Sequence, residues 1–354
     1  MMHRRTLLAG LALAPFAQLL GANTSGLIRV AQIGTSHAHA SGKMEALRSL
    51  PDLYDVVGFA EPISARQAAA QKAKSFAGLK YLTEAEILAN PSIRVVVIET
   101  TLEDSARAAL AALKAGKHIH LDKPGAEKHA DFVALRRYAA EQKLTVQMGY
   151  MLRYNPGIQL LVRAVKQGWL GEVMEIDASM GKLLDEGTRK RFAQLPGGGM
   201  YELACHLVDT IVTLMGPPTS VQAFGNATRA PQDTLVDNQL AVLSYPKATV
   251  TIRCNHADPF GGPNRSIAVR GTRGDLEIRP LESGKGILRL DQAREGERFK
   301  KGETAFTLDV PKGRYDEEFR DLARVLRGQA FAWSADHDIV VHATALRAAG
   351  LEPR

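Results

Sequence analysis

Short apolar stretches alternate with helical patterns over the first part of the sequence, and this alternation constrains the fold more than any other feature. The stretches that predict strands are residues 27–33, 55–60, 93–98, 118–121 and 144–149. Almost continuously apolar runs of this length are typical of parallel strands that are covered by helices on both faces. Strands that alternate with helices predict a doubly wound parallel sheet, and therefore an α/β domain of the Rossmann type, over residues 27–150.

The pattern changes after Tyr150. A helix predicted over residues 156–167 is followed by strands near 172–180, 220–226, 235–243, 248–255, 266–270 and 275–278. Turns such as Tyr245-Pro246-Lys247 separate neighbouring strands, and a single helix predicted over residues 198–215 interrupts the series. Residues 151–354 therefore predict a second α/β domain with a large, mostly antiparallel, open sheet. Its last two helices, 315–327 and 337–349, are free to pack back on the first domain.

Composition excludes several classes of protein. The chain has 354 residues, of which 45% are hydrophobic and 23% charged, as expected of two globular domains. The formal net charge is +7, but the basic clusters at 189–191 and 298–301 are short and poor in aromatic residues, which argues against a nucleic-acid partner. Cys205 and Cys254 lack the spacing of a metal site, and a disulfide or two buried thiols remain open for them.

The first 26 residues have the layout of an export signal. Arg4 and Arg5 precede an apolar run over residues 7–20, and small and polar residues follow. Paired arginines are typical of the twin-arginine type, which exports folded proteins, so we expect a periplasmic protein. A basic tail or a retained membrane anchor are the alternatives. The run is too short to span a bilayer comfortably and no later run is longer, so we expect no stable membrane insertion of the mature chain.

A nucleotide site is predicted where the first strand ends. Gly34-Thr35-Ser36-His37-Ala38-His39 lies between a strand and a helix, the context that a dinucleotide fingerprint requires, although Ser36 and His39 replace its second and third glycines. Glu61 ends the second strand, where an acid binds the ribose hydroxyls and disfavours a 2′-phosphate, which favours NAD over NADP. Its alternative role is that of an acid at a helix N-terminus. Thr100 and Thr101, after the third strand, are candidates to line the pyrophosphate or nicotinamide.

Two further segments carry candidate chemistry. Asp122 and Lys123 follow the fourth strand, so Lys123 is expected in the crevice at the carboxyl edge of the sheet, unless it is an ordinary solvated lysine. Glu202 and His206 lie four residues apart on the helix that follows three glycines, and we expect Asp209 to bond the His206 ring and fix its tautomer. Acid and imidazole suit proton transfer at a sugar hydroxyl while hydride moves at the neighbouring carbon. The alternative is an amphipathic helix with a structural histidine.

Four histidines raise the question of a metal. His37 and His39 follow the first strand, and His118 and His120 point to one face of the fourth. Neutral imidazoles near one edge of a sheet suit Zn²⁺. The preferred interpretation is that no metal is bound, with His118 packed under the sheet.

The sequence resembles the Gfo/Idh/MocA family of nicotinamide-dependent oxidoreductases over nearly all of its length from Ile28. The resemblance rests on residues 115–124 (AGKHIHLDKP), 150–156 (YMLRYNP) and 197–209 (GGGMYELACHLVD), in the expected order and rough spacing. It implies dimers or tetramers formed through the open sheet. Asp122 and Glu202 stand where the family usually has a glutamate and an aspartate, respectively.

By position, the resemblance implies roles for individual residues. Lys123 would be the lysine that contacts both the nicotinamide and the reacting hydroxyl, His206 would be the catalytic base, and Glu202 would assist it. Arg153, Tyr154 and Asn155 would lie at the substrate crevice between the domains.

The expected function is an NAD(P)-dependent oxidoreductase that acts on a carbohydrate-like substrate, a sugar or polyol, by hydride transfer at a hydroxyl-bearing carbon. One alternative is an NAD-dependent glycosidase of the same superfamily, in which transient oxidation permits elimination of the glycosidic bond. The other is a sugar- or cofactor-binding protein without turnover, a reading motivated by the missing glycines.

Overall fold

A computed structural model of the chain describes residues 26–294 and 297–354. The twin-arginine-type signal predicted over residues 1–26 therefore lies outside the described residues, except for Gly26. In the described ranges, no helix combines the length and apolar character that crossing a bilayer requires.

The first sheet has five parallel strands, which confirms the predicted doubly wound domain. The strands are β1 (Ile28–Ile33), β2 (Tyr54–Ala60), β3 (Val95–Ile98), β4 (His118–Leu121) and β5 (Val146–Met148), in the spatial order β2-β1-β3-β4-β5. The helices are α1 (Ala40–Arg48), α2 (Ser64–Lys72), α3 (Glu84–Ala89), α4 (Leu102–Lys114) and α5 (His129–Glu141). The strand order reverses between β1 and β3, so the crevice where ligands bind in such folds opens beside the ends of these two strands.

The second sheet is mostly antiparallel, also as predicted. Helices α6 (Pro156–Lys166), α7 (Glu186–Gln194), α8 (Gly198–Glu202) and α9 (Cys205–Met215) accompany it. Its strands are β6 (Val173–Gly181), β7 (Ser220–Asn226), β8 (Asn238–Ser244), β9 (Thr249–Asn255), β10 (Ser266–Gly271), β11 (Gly274–Ile278), β12 (Lys285–Leu290) and β13 (Gly302–Thr307). They lie in the order β13-β12-β11-β10-β6-β9-β8-β7, and the pair β6–β9 is parallel.

One face of the second sheet is apolar and buried, while the other is open and charged. Side chains alternate between these faces along β8 and β9, as expected of strands with one solvated side. On the open face, Arg270 pairs with Glu175 and Asp177, and Arg289 pairs with Asp275 and Glu303. Opposite charges that face each other across strands keep this open surface polar.

The last two helices pack against both halves of the molecule. Helix α10 (Asp316–Leu326) contacts α1, and α11 (Ala335–Ala348) contacts α5 and α9. The Tyr54 hydroxyl donates to the Phe319 carbonyl oxygen at 2.6 Å, and Arg136 pairs with Asp338 at 2.8 Å. These helices therefore fix the position of the second sheet relative to the first.

The helix predicted over residues 198–215 is two helices, α8 and α9, and this difference shapes the site. The Glu202 carbonyl oxygen accepts a hydrogen bond from the Lys123 ammonium at 2.7 Å, and the backbone N–H of His206 turns instead to Leu203. A carbonyl that binds a side chain of another domain no longer continues the helical ladder. The long-range contact therefore coincides with the break.

Candidate active site

The turn after β1 is pressed against the end of β3. Gly34 has φ +89°, and a Cβ there would lie 2.7 Å from backbone atoms of Glu99 and Thr100. The backbone N–H groups of Ser36 and His37 both donate to the Glu99 carbonyl oxygen. Only glycine fits a left-handed conformation at so close an approach. Close packing against β3 therefore explains why glycine occupies the first position of the dinucleotide fingerprint.

Glu61 closes this turn from β2. Its carboxylate accepts hydrogen bonds from the backbone N–H and hydroxyl of Thr35 and from the backbone N–H of Ile63. The side chain is fully buried. A ribose could reach this carboxylate only if the turn opened. Glu61 therefore stabilises the turn itself, a role that the predicted contact with the cofactor did not include.

Thr100 and Thr101 lie at the same edge, where α4 begins. Thr100 is buried, and its hydroxyl donates to the Thr101 carbonyl oxygen at 3.2 Å. Thr101 occupies the N-cap position of α4 without a side-chain cap bond. Both predicted cofactor residues therefore stand beside Gly34, at the edge where β1 and β3 end.

Lys123 joins the two domains at the centre of the site. It follows β4, its side chain is 2% exposed, and its ammonium donates to Glu202 Oε1 at 2.6 Å. Burial lowers the pKa of Lys123, but the charges of Glu202 and other acidic groups outweigh that effect and raise it. The lysine is held as a cation, which is the form that stabilises a developing alkoxide.

His206 lies one turn beyond Glu202, in the first turn of α9. It is 4% exposed, and its Nδ1 atom is buried without a hydrogen-bond partner among the described residues. Burial, followed by the charge of Lys123, lowers the pKa of His206 well below its usual value. The ring is therefore neutral and able to accept a proton.

The predicted bond between Asp209 and His206 is not formed, and this expectation was wrong. Asp209 accepts two hydrogen bonds from Arg153 Nε and Nη2, at 3.0 and 2.6 Å, and one from His337. Arg153 also pairs with Asp338 at 2.7 Å. A guanidinium binds a carboxylate in a planar, bidentate manner that an imidazole cannot match. Asp209 therefore faces the arginine and not the histidine.

The residues predicted to bind substrate also have contacts within the protein. The Tyr154 hydroxyl donates to Asp321 at 3.0 Å, and the Asn155 carboxamide caps α6 by accepting from two backbone N–H groups. Arg153 and Asp209 line a cavity of about 450 Å³ beside Trp333. Lys123 and His206 are not among the residues that line this cavity. Arg153 also lies over the ring of Tyr150, whose other neighbour is the ring of His206, so Tyr150 stands between this cavity and the His206 side of the crevice.

His37 and His39 converge on Asp122, just beside Lys123. Asp122 Oδ2 lies 3.1 Å from Nδ1 of His37 and 2.9 Å from Nδ1 of His39. His37 Nδ1 is also 3.4 Å from Glu99 Oε2, and its Nε2 is 3.9 Å from Glu202 Oε1. The sequence located both histidines at this edge but gave no indication that Asp122 and Glu99 would meet them.

The other two histidines lie elsewhere, so the four-histidine arrangement is not formed. His118 Nδ1 accepts from the backbone N–H of Thr145 at 3.0 Å. His120 is completely buried, 2.9 Å from the Lys43 ammonium through Nε2 and 2.9 Å from Gln147 through Nδ1. Burial and then the Lys43 charge lower the pKa of His120 to about 3.

Lys43 and Glu318 form a buried ion pair that the sequence analysis missed. Lys43 lies in α1 and Glu318 in α10, 275 positions later, and both side chains are essentially inaccessible. A lysine within an amphipathic helix and a glutamate in the first turn of another carry no local signal of pairing. Only the packing of α10 on α1 brings them together.

Cys205 and Cys254 are both buried and free. Cys205 Sγ approaches the Glu202 carbonyl oxygen at 3.6 Å, whereas Cys254 Sγ lies 3.5 Å from His256. Burial raises the pKa of each thiol, so neither is a reactive thiolate at neutral pH.

The fold and the site together define a class of two-domain protein. A doubly wound domain supplies the lysine of its crevice, and a second domain supplies the acid and the imidazole. Family models agree with this description. Residues 28–150 match the model of an oxidoreductase family with an NAD-binding Rossmann fold, and residues 158–277 match the C-terminal domain of the Gfo/Idh/MocA family. The chain belongs to the Gfo/Idh/MocA family of oxidoreductases.

Individual relatives are distant. An uncharacterised oxidoreductase of Schizosaccharomyces pombe is 25% identical over 261 residues, 70% of each chain. The scyllo-inositol 2-dehydrogenase (NADP(+)) of Bacillus subtilis is 25% identical over 51% of each chain, and the inositol 2-dehydrogenase of Salmonella paratyphi B is 26% identical over 62% of each.

Among solved structures, a levoglucosan dehydrogenase in complex with NADH and levoglucosan has a similar fold. The TM-score is 0.76, and the match covers 90% of this chain and 95% of that one at 18% identity. At this identity the likeness establishes the fold alone.

Proposed function

We propose that the protein catalyses hydride transfer between a nicotinamide nucleotide and a hydroxyl-bearing carbon of a sugar, polyol or related compound. The observation that carries this proposal is the buried pair of Lys123 and Glu202, one turn before the neutral ring of His206. A fixed cation and an uncharged imidazole in one crevice are what oxidation of an alcohol requires from a protein.

The three side chains divide the work. His206 accepts the hydroxyl proton: its ring is neutral and its Nδ1 atom has no other partner among the described residues, while its lowered pKa means that the proton is readily passed on. Lys123 stabilises the oxygen as negative charge develops on it. Glu202 holds the ammonium in position by accepting through both its carboxylate and its backbone carbonyl. Lys123 is also buried, and exclusion of water strengthens its effect on that charge.

The first turn fits a dinucleotide in part. Gly34 permits close approach, and the hydroxyls of Ser36 and Thr101, which make no side-chain hydrogen bond among the described residues, are free to bind phosphates. The backbone N–H groups of this turn already bind Glu61 and Glu99, so they would reach a phosphate only after the turn rearranges. His37 and His39 add bulk where small residues are usual. The bound nicotinamide would supply the site that accepts or donates hydride. If the turn opens to admit a ribose, the Glu61 carboxylate would repel a 2′-phosphate and so favour NAD over NADP, although one relative is named an NADP(+) enzyme.

The substrate class is supported by the names of relatives. Two are inositol dehydrogenases, and a structure of similar fold holds levoglucosan. All three compounds are cyclic and carry several hydroxyl groups. We therefore propose a cyclic polyhydroxylated substrate for this chain.

The test is nucleotide reduction by purified protein with a panel of inositols, anhydrosugars and aldoses, with NAD and with NADP. We expect turnover with at least one member and its loss in Lys123→Met and His206→Asn. His118→Asn is the matched control, because His118 lies in β4 outside the crevice. Loss of activity in the control alone, or turnover that survives in Lys123→Met, would exclude the proposed roles.

Oxidation followed by elimination is the second candidate. A relative in Escherichia coli, 26% identical over 51% of this chain, is a 2,7-anhydro-N-acetylneuraminate hydratase, a name that denotes no net oxidation. Cleavage or hydration of a glycoside without net NADH formation would favour this second candidate over a dehydrogenase.

We further propose that the folded protein is exported to the periplasm and forms a homodimer or homotetramer through its open sheet. Arg4 and Arg5 before the apolar run support export, and the family resemblance, in which assembly uses the open sheet, supports the oligomer. Fractionation of cells that express Arg4→Lys/Arg5→Lys and wild-type chains tests the first part, because twin-arginine export requires both arginines. Light scattering of the purified protein tests the second.

A further inference from the structure

Four titratable side chains meet at the ends of β1, β3 and β4. They are His37, His39, Glu99 and Asp122. The Nδ1 atoms of His37 and His39 and a carboxylate oxygen of Asp122 all lie within 4.8 Å of one another. The closest approaches, 2.9, 3.1 and 3.4 Å, each join a nitrogen to a carboxylate oxygen. Neighbouring ligands of a tetrahedral zinc ion are roughly 3.3 Å apart, given bonds of about 2.0–2.1 Å.

The two acids lack another strong cation. In the described residues, the ion pairs of Asp122 and Glu99 are with these histidines, and no lysine or arginine lies within 4.0 Å of either carboxylate. The side chain of Glu99 is fully buried, and neither of its oxygens has a hydrogen-bond partner. Among the described residues, histidines are the only side-chain cations within 4.0 Å of the two carboxylates, and a histidine proton is a charge that a metal ion can replace.

Hydrogen bonding alone does not satisfy His37. The backbone N–H of His39 points to His37 Nδ1 at 3.3 Å, which is favourable only if this atom carries a lone pair. An unprotonated Nδ1, however, leaves Asp122 and Glu99 facing that lone pair without a proton between them. A metal ion bound to that lone pair would place positive charge between the ring and the two carboxylates, at the cost of the 3.3 Å contact from the His39 N–H. Metal binding displaces protons from such ligands.

The cluster differs from a second group with similar spacing, formed by Asp209, His337 and Asp338. There, Arg153 binds both carboxylates and Arg136 binds Asp338. A cation would have to displace two guanidinium groups. The second group is a satisfied ion network, whereas the first is not.

We propose that His37, His39 and Asp122 bind a divalent first-row metal ion, with Zn²⁺ as the preferred ion and Glu99 as a fourth ligand. Two imidazoles and carboxylates are suitable ligands for this class of ion. The site occupies the turn that replaces the usual glycines and lies next to Lys123. It goes beyond the proposed hydride transfer and does not depend on it.

The experiment begins with protein that is purified through an affinity tag free of histidine. Bound metals are measured by mass spectrometry, removed with a chelator, and replaced by Zn²⁺ in competition with a chromogenic chelator. The variants are His39→Asn and Asp122→Asn, and His118→Asn is the control for loss of a histidine. Circular dichroism of the metal-free proteins checks that each variant folds, and His37→Asn replaces any that does not.

We expect one zinc ion per wild-type chain, an affinity at least 100-fold lower in His39→Asn, and a wild-type affinity in His118→Asn. Zinc should raise the melting temperature of wild-type and His118→Asn protein only. Absence of zinc binding by wild-type protein, or equal affinities in His39→Asn and His118→Asn, would overturn the proposal.

Titration with NADH, followed by its fluorescence, separates this proposal from the proposed function. Protein that binds zinc but binds neither NADH nor NADPH in such titrations would support the metal site and refute hydride transfer. Wild-type protein that oxidises a sugar but does not bind zinc would support hydride transfer and refute the metal site.

Discussion

Removal of the charge of Glu318 should destabilise the protein severely. Glu318 neutralises Lys43, and the two side chains are 1% and 0% exposed. The Lys43 ammonium also contacts His120 and the ring of Tyr315, neither of which carries a compensating negative charge. In Glu318→Gln the amide keeps the shape of the side chain but leaves Lys43 as a buried cation without a direct anionic partner, with Asp122 and Glu99 as more distant negative charges. Removal of one partner from such a pair costs about 3–5 kcal/mol.

The assay is urea unfolding followed by circular dichroism and by tryptophan fluorescence. Trp169 and Trp333 both follow the first sheet in the sequence, so the second probe reports on the second half of the chain. The matched control is Glu175→Gln, which removes the same charge from the pair with Arg270 on the open sheet face. Both control side chains are about half exposed. Exposed pairs contribute about 0–1 kcal/mol, so we expect the two variants to differ by at least about 2 kcal/mol.

Equal stability of Glu318→Gln and Glu175→Gln would refute the reasoning. It would mean either that water reaches Lys43 or that α10 does not pack on α1 as described. A double variant, Lys43→Met/Glu318→Leu, distinguishes lost charge from lost packing. Because apolar residues can replace a buried ion pair at little cost, the double variant should recover much of the lost stability.

Three further predictions concern single residues. Burial raises the pKa of Glu318 to about 7 even beside Lys43. In Lys43→Met the folded pKa therefore exceeds the unfolded value, and stability should fall by about 1.4 kcal/mol per pH unit between pH 5 and 7 in urea titrations. Gly34→Ala should destabilise more than Gly116→Ala, because both have positive φ but only Gly34 meets backbone atoms; equal melting temperatures would contradict this. Burial lowers and Glu202 raises the pKa of Lys123, so Glu202→Gln should shift the alkaline limb of the kcat profile to lower pH; an unmoved limb would contradict this.

The sequence predicted most of the first sheet because its signal is local. Each strand there is a short apolar run closed by a polar or glycine residue, and burial on both faces makes such runs conspicuous. In the second sheet, β7 agrees with the predicted residues 220–226, but β12 and β13 were not predicted. Gly286 and Gly302 lie in these strands, and their half-polar sequences resemble loops. Pairing with β11 stabilises β12, and this contact has no local signal.

The candidate site shows even more clearly that contacts between distant segments have no local signal in the sequence. Lys123, Glu202 and His206 were predicted from motifs. In the structure Lys123 contacts Glu202 directly, and His206 lies one helical turn beyond Glu202. The partner of Asp209 was predicted wrongly, because sequence spacing favoured His206 and the fold supplied Arg153 from another segment. Spacing along a helix identifies which residues share a face. It does not identify what that face meets.

The charges around the first turn lead to a last prediction, which rests on the proposed metal site. A dinucleotide brings a negatively charged pyrophosphate to an edge that already holds Glu99, Asp122 and Glu202. Lys123 offsets one of these charges through its pair with Glu202. A divalent cation on His37, His39 and Asp122 would bring the sum of these charges from −2 to zero.

Zinc should therefore strengthen NADH binding, and the coupling must be reciprocal, so NADH should strengthen zinc binding by the same factor. We expect about 5-fold or more, the lower end of typical coupling between sites. The measurement is NADH titration of wild-type and His39→Asn chains with and without Zn²⁺. Coupling should be present in wild-type protein and absent in the variant. Competition between Zn²⁺ and NADH would show that the two ligands occupy the same space, and the electrostatic argument would then be wrong.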